Sequence, residues 1–197
     1  MGKSRTIRRG GGQRRTAKQQ PTAALLRRVA AGMLPFLRAV ERSRGYAAAW
    51  SRAVVKADLD AMRRLLHRVS PRLGNQGLGS NGIGYFISFS AAGAYYSSGT
   101  TIPPGSVQFY FNPRVHRLVA KALLPYYREL VSESGYALAL ARAIRRGDRM
   151  AAARLVRSRI RTRALKSVRI EEAGIVLSFK YSFSKYEYNH LLIQEID

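Results

Sequence analysis

Arg142, Arg145, Arg146 and Arg149 fall at i, i+3, i+4 and i+7, the spacing that puts side chains on one helical face. The chemistry such a set offers is recognition of phosphate, because a guanidinium makes forked contacts to anionic oxygens. Gly147-Asp148 interrupts the run, so the sequence predicts a cluster around a turn rather than one unbroken stripe. Arg154 and Arg157 extend it, and Arg52, Lys56, Arg63, Arg64 and Arg68 form an earlier set. Arg5, Arg8, Arg9, Arg14 and Arg15 lie among Gly, Ser, Thr and Gln near the N-terminus. That composition predicts a disordered basic arm over residues 1–21, able to lie along a phosphate backbone. The predicted nucleic-acid contacts are therefore these five arm residues with Arg52, Lys56, Arg64, Arg142, Arg145, Arg146, Arg154 and Arg157.

Other chemistry is poorly supplied. Gly77-Leu78-Gly79-Ser80-Asn81-Gly82 matches a dinucleotide-binding glycine string. Such a site needs a strand before the string and a helix after it. Here a helix precedes and a strand is predicted to follow, so a loop or hairpin is the expectation. His67, His116 and His190 are scattered, without metal-ligand spacing, and His67 and His116 are expected on helix surfaces. Asp58 and Asp148 precede helical patterns and read as N-caps. With no Cys, disulfides, Cys-based zinc sites and cysteine nucleophiles are excluded. No catalytic constellation, metal site or cofactor is predicted.

The charge distribution supports a polyanionic partner. The 197 residues carry 35 Lys+Arg against 11 Asp+Glu, a formal net charge of +24, and 28 of the cations are Arg. A folded body with that imbalance repels itself, and an anion relieves the repulsion. Residues 1–28 hold nine cations and no acid, residues 29–72 nine against three, and residues 114–166 fourteen against three. Residues 73–113 carry no charge at all. No stretch reaches the roughly 18 apolar residues of a membrane span, and Arg27-Arg28 interrupts any secretory-signal pattern.

The elements that position these residues follow from an internal repeat. Shifted by 90 residues, the sequence aligns to itself without a gap from residue 33 to residue 90, with 16 of 58 pairs identical. Leu34-Pro35 falls on Leu124-Pro125, Gly45-Tyr46-Ala47 on Gly135-Tyr136-Ala137, Asp58 on Asp148, and Ser88-Phe89 on Ser178-Phe179. This indicates tandem duplication, with unit 1 over residues 22–112 and unit 2 over 113–197 joined in one pseudo-two-fold body. Each unit reads as three helices and a β-hairpin, an α+β class. Pro35 and Pro125 are expected to kink or restart the first helix of each unit. Gly45 and Gly135 read as helix C-caps. Residues 83–90 and 173–180 read as strands, Asn81-Gly82 as a hairpin turn, and residues 106–111 as a further strand. Residues 186–193 fit either strand or helix.

The uncharged segment holds eight aromatic residues. Because no Lys or Arg is interleaved among them, self-association is expected rather than base stacking. Tyr85, Phe89, Tyr95, Tyr96, Phe109 and Phe111 are the candidates.

Together these features predict a non-enzymatic, largely sequence-independent nucleic-acid-binding protein, for DNA or RNA. It would coat, package or organise the polymer and form homo-oligomers. The expected location is the cytoplasm, a nucleoid, or a virion or other particle. The alternative is a self-assembling shell or coat protein whose basic faces meet an acidic protein or polymer.

Overall fold

The computed structural model describes residues 21–91 and 94–195. Three helices open the fold: α1 (Ala23–Arg42), α2 (Arg44–Val55) and α3 (Leu59–Val69). A single turn, α4 (Pro71–Gly74), leads into β1 (Gly77–Ser80), β2 (Gly84–Ala91) and β3 (Ala94–Thr101). The order then recurs as α5 (Pro113–Ser132), α6 (Ser134–Arg146), α7 (Arg149–Arg159), β4 (Leu165–Glu171), β5 (Gly174–Phe179) and β6 (Tyr188–Gln194). The class is α+β. The strands form one antiparallel sheet in the order β1-β2-β3-β6-β5-β4. No helix among the described residues is long and apolar enough to cross a membrane.

Local chemistry accounts for the helix boundaries. Thr22, Ser43, Asp58 and Asn112 each place a side-chain oxygen on a first-turn N–H, satisfying donors that the helix itself leaves free. Asp148 does the same for α7, accepting from the Ala151 N–H at 2.9 Å, as Asp58 accepts from Ala61 at 2.9 Å. The apolar stripe of α1, with Leu26, Val29, Met33, Phe36, Leu37 and Val40, is fully buried, and α1 packs chiefly against α5.

Helices and sheet meet on one face. Trp50 lies edge-on to Tyr85 with ring centroids 5.1 Å apart, and Phe36 packs 4.6 Å from Trp50. By strand alternation, the opposite face carries Phe86, Ser88, Ser97, Gly99, Val176 and Leu191. Gly99 permits the tight centre of this sheet: a Cβ there would stand 2.0 Å from the Tyr85 carbonyl oxygen.

Several contacts recur 90 residues apart. The Tyr46 hydroxyl donates to the Leu65 carbonyl at 3.1 Å, and the Tyr136 hydroxyl donates to the Leu155 carbonyl at 2.8 Å. Arg27 donates to the Val131 carbonyl, through Nη2 at 3.0 Å, and Arg117 donates to the Glu41 carbonyl, through Nη2 at 2.8 Å. Gly77 pairs with Ser88, and Ser167 with Ser178. The inner pairings, β2 with β3 and β5 with β6, slip by two residues: Tyr85 faces Thr100, whereas Ile175 faces Leu192.

Five sequence expectations need correction. Pro35 and Pro125 lie inside unbroken helices. The carbonyl each would otherwise bond belongs to an exposed residue, Ala31 or Lys121, a position where water can stand in for the missing N–H. Gly45 and Gly135 belong to the first turns of α2 and α6, after caps at Ser43 and Glu133. Each half contains three strands instead of a hairpin, because Ala94–Thr101 and Tyr188–Gln194 pair at the centre of the sheet. Residues 106–111 form no strand; they belong to the irregular connection between β3 and α5. His116 is buried at 1% exposure instead of lying on a surface.

That histidine joins a buried polar chain. Its Nε2 lies 2.9 Å from the Tyr85 hydroxyl, which is 3.5 Å from Thr100 Oγ1. Thr100 Oγ1 is 2.9 Å from His190 Nδ1, and His190 Nε2 is 2.6 Å from the Tyr127 hydroxyl. Tyr127 reaches Ser98 at 2.8 Å. Desolvation holds both imidazoles neutral, pushing their pKa values down to about 3.

Candidate nucleic-acid interface

The N-cap at Asp58 turns α3 back beside α2 and leaves a groove of about 390 Å3 between them. Arg52, Lys56, Arg64 and Arg68 line it. All four belong to the basic set read from the sequence, and Arg52, Lys56 and Arg64 are among the predicted contacts. Asp58 also lines the groove, but its carboxylate already accepts the Ala61 N–H.

Arg52 and Lys56 also line a second depression of about 260 Å3, walled by Ala48, Val55, Phe111 and Pro113. Ala48 and Pro113 in turn line a third, of about 490 Å3, with Arg44, Arg114 and Arg117. The shared walls set the three side by side, a track of adjoining depressions along the exposed face of α2. Over the 12 residues of α2, the track spans about 18 Å at 1.5 Å per residue. Seven cations and one acid line it.

Two cations at the α5 end are held in place. The Arg117 guanidinium is anchored on the Glu41 carbonyl, and Arg114 stacks over the Phe183 ring at 4.0 Å from its centroid. Holding a long side chain in advance reduces the entropy lost when an anion binds. Sequence spacing missed Arg44, Arg114 and Arg117 as contact residues. Arg114 and Arg117 come from a different helix from Arg44, so no local periodicity links them.

In the second half, Arg142, Arg146 and Arg154 are exposed on α6 and α7, whose pairing carries the same tyrosine bond and aspartate cap as α2 and α3. Gly147 in the left-handed conformation ends α6, so the arginine run is broken as expected. Arg145 and Arg157 are partly occupied elsewhere. Arg145 Nη1 donates to the Pro21 carbonyl at 2.9 Å. Arg157 donates to the carbonyls of Leu165 and Lys166 at 3.3 and 3.2 Å, tying α7 to β4. Arg5, Arg8, Arg9, Arg14 and Arg15 lie outside the described residues.

The residues expected to mediate self-association separate into two groups. Tyr85, Phe89, Tyr96 and Phe111 are core residues, each at most 4% exposed, and so cannot form a subunit surface in this fold. Tyr95 and Phe109 are exposed, at 50% and 70%.

The glycine string lies in β1 and the turn into β2, with α4 before it and no helix after it, so it lacks the surroundings of a dinucleotide site. A further depression, about 690 Å3, lies between α1 and the segment around α4 and shares no lining residue with the α2 track. Its cations are Arg28 and Arg72. Among the described residues, no three His, Asp or Glu side chains come together as a metal-binding group. No protein-family model, curated protein or solved structure matches this chain.

Proposed function

We propose that this protein is a non-enzymatic, largely sequence-independent nucleic-acid-binding protein that coats, packages or organises DNA or RNA. The observation carrying this reading is the track along α2, where seven cations meet one acid that is engaged as a helix cap. Polyanions bind such a track through their phosphates and release condensed counterions as they do so. The arm residues Arg5, Arg8, Arg9, Arg14 and Arg15 add further phosphate contacts. Arg142, Arg146 and Arg154 provide a second basic surface.

The reading includes an ancestral duplication, with units at 22–112 and 113–197 related by a pseudo-two-fold. The repeated bonds of Tyr46 and Tyr136, and the exchanged bonds of Arg27 and Arg117, support it. Two related basic surfaces on one body suit a protein that gathers separate segments of a polymer. Homo-oligomers fit the same role, with exposed Tyr95 available for subunit contact. The setting is a cytoplasmic, nucleoid or particle-bound nucleoprotein. An acidic protein layer is the alternative partner for the basic faces.

The test removes charge from the track. The Arg52→Ala/Lys56→Ala/Arg64→Ala variant is expected to bind random duplex DNA and RNA more weakly, with a flatter salt dependence. Unchanged affinity and slope would overturn the proposal.

A further inference from the structure

Phe109 is the most exposed of the aromatic rings, at 70%, and its backbone is held at φ 51°. Both features cost free energy: an apolar ring stands in water, and a residue with a Cβ occupies the left-handed region. Its position is built. A Cβ added to Gly82 would meet the Phe109 ring at 3.1 Å and the Val55 carbonyl oxygen at 3.7 Å. Gly82 itself sits at φ 76°, and the adjoining Ser80 hydroxyl donates to the Val54 carbonyl at 3.0 Å. The ring is thereby placed at the C-terminal end of α2, where Val55 and Lys56 line the middle of the cationic track.

That middle section differs from its neighbours. It is a largely apolar depression of about 260 Å3, walled by Val55, Phe111, Ala48 and Pro113. Cationic grooves continue on both sides of it. A ligand with charge at regular intervals and a flat apolar group between the charges fits this alternation. Duplex nucleic acid presents only its phosphates, because its base faces are stacked inside. A single strand presents phosphates and free base faces together.

We infer that the track binds single-stranded nucleic acid, with Phe109 stacking on one unpaired base and the adjoining apolar depression receiving that base or its neighbour. This rests on the phosphate-track reading and adds the strand state of the ligand. The expectation from sequence is the opposite, because no Lys or Arg interrupts the aromatic segment. The structure instead sets Phe109 beside Gly82 and the Val55 carbonyl, one residue before Lys56.

The experiment measures fluorescence anisotropy with three labelled 12-mers: an oligothymidylate strand, the same strand with abasic central sites, and a random duplex. The full chain is expected to bind the intact strand tightest. Phe109→Ala is expected to weaken intact-strand binding about ten-fold, the scale of one lost base stack. Abasic-strand and duplex affinities should not change, and neither should the salt slope. Phe109→Tyr should retain tight binding. Unchanged Trp50 emission in both variants would establish that the core is intact.

Duplex binding as tight as single-strand binding would overturn this inference while leaving the phosphate track standing. So would an unchanged intact-strand affinity in Phe109→Ala, or a change in sedimentation that marks Phe109 as a subunit contact. No binding to any of the three ligands would overturn the phosphate-track reading itself.

Discussion

Arg52 in the last turn of α2 and Lys56 at its C-cap are four residues apart, and each lines two adjoining depressions. This double placement turns separate pockets into a track. It also makes the pair the centre of the proposed interface, whereas the other cations lie toward the ends.

Arg157, which ties the backbone away from the track, should behave differently from Arg52, which lines it. Arg157 spends its guanidinium on the carbonyls of Leu165 and Lys166. Arg157→Ala is expected to lower stability by about 1 kcal/mol through loss of these bonds, with a smaller loss of affinity than Arg52→Ala. Chemical denaturation and binding measured on both variants check the ordering. A larger affinity loss in Arg157→Ala would place the interface on α7 instead.

Ala57 and Gly147 occupy equivalent turns 90 residues apart. The Asp58 N–H bonds the Ala53 carbonyl at 2.9 Å, and the Asp148 N–H bonds the Ala143 carbonyl at 2.9 Å. Gly147 sits at φ 65° without a steric penalty, while Ala57 is held at φ 50°. Ala57→Gly is therefore expected to stabilise the fold by about 1 kcal/mol, the penalty an L side chain bears in this region. A higher midpoint of urea denaturation would show the gain, and a lower midpoint would contradict it.

Loss of the cap should act in the other direction. Asp58→Ala frees the Ala61 N–H and is expected to cost about 1 kcal/mol. It also removes the single acid lining the track, so nucleic-acid affinity should rise as stability falls. Parallel denaturation and binding curves separate the two effects.

The buried histidines predict acid sensitivity. Burial pushes both folded-state pKa values down to about 3, well below the 6.5 of a solvent-exposed imidazole in an unfolded chain. As pH falls below 6.5, the unfolded chain takes up protons that the folded chain refuses. Their neutral burial is thus compatible with full stability above pH 6.5, and stability is lost progressively from there toward pH 3. Trp50, the sole tryptophan and fully buried, reports unfolding by its emission. A urea midpoint that stays constant between pH 7 and pH 4 would contradict this.

The helices were legible in the sequence because apolar spacing and caps act locally. Leu26, Val29, Met33 and Phe36 mark a face, and Asp58 marks a start. The strand Ala94–Thr101 was not legible. It carries Ser97, Ser98, Gly99, Thr100 and Thr101 where a core strand would show branched apolar residues. Its hydroxyls are accommodated by partners distant in sequence: Ser98 by Tyr127 and Thr100 by His190. For the same reason His116 read as a surface residue, since Tyr85 lies 31 positions away. At the candidate interface, charge spacing found Arg52, Lys56 and Arg64. It missed Arg44, Arg114 and Arg117, which meet only because α2 packs beside α5.

The most direct test of the central claim is the salt dependence of binding by the purified, nuclease-treated full chain. The logarithm of the binding constant falls with the logarithm of salt by about 0.7 per neutralised phosphate on a single strand. If the seven track cations each neutralise one phosphate, a slope of about −5 or steeper is expected, with the arm adding to it. Negligible binding at low salt, or a slope close to zero, would contradict the claim and direct the basic faces toward an acidic protein partner.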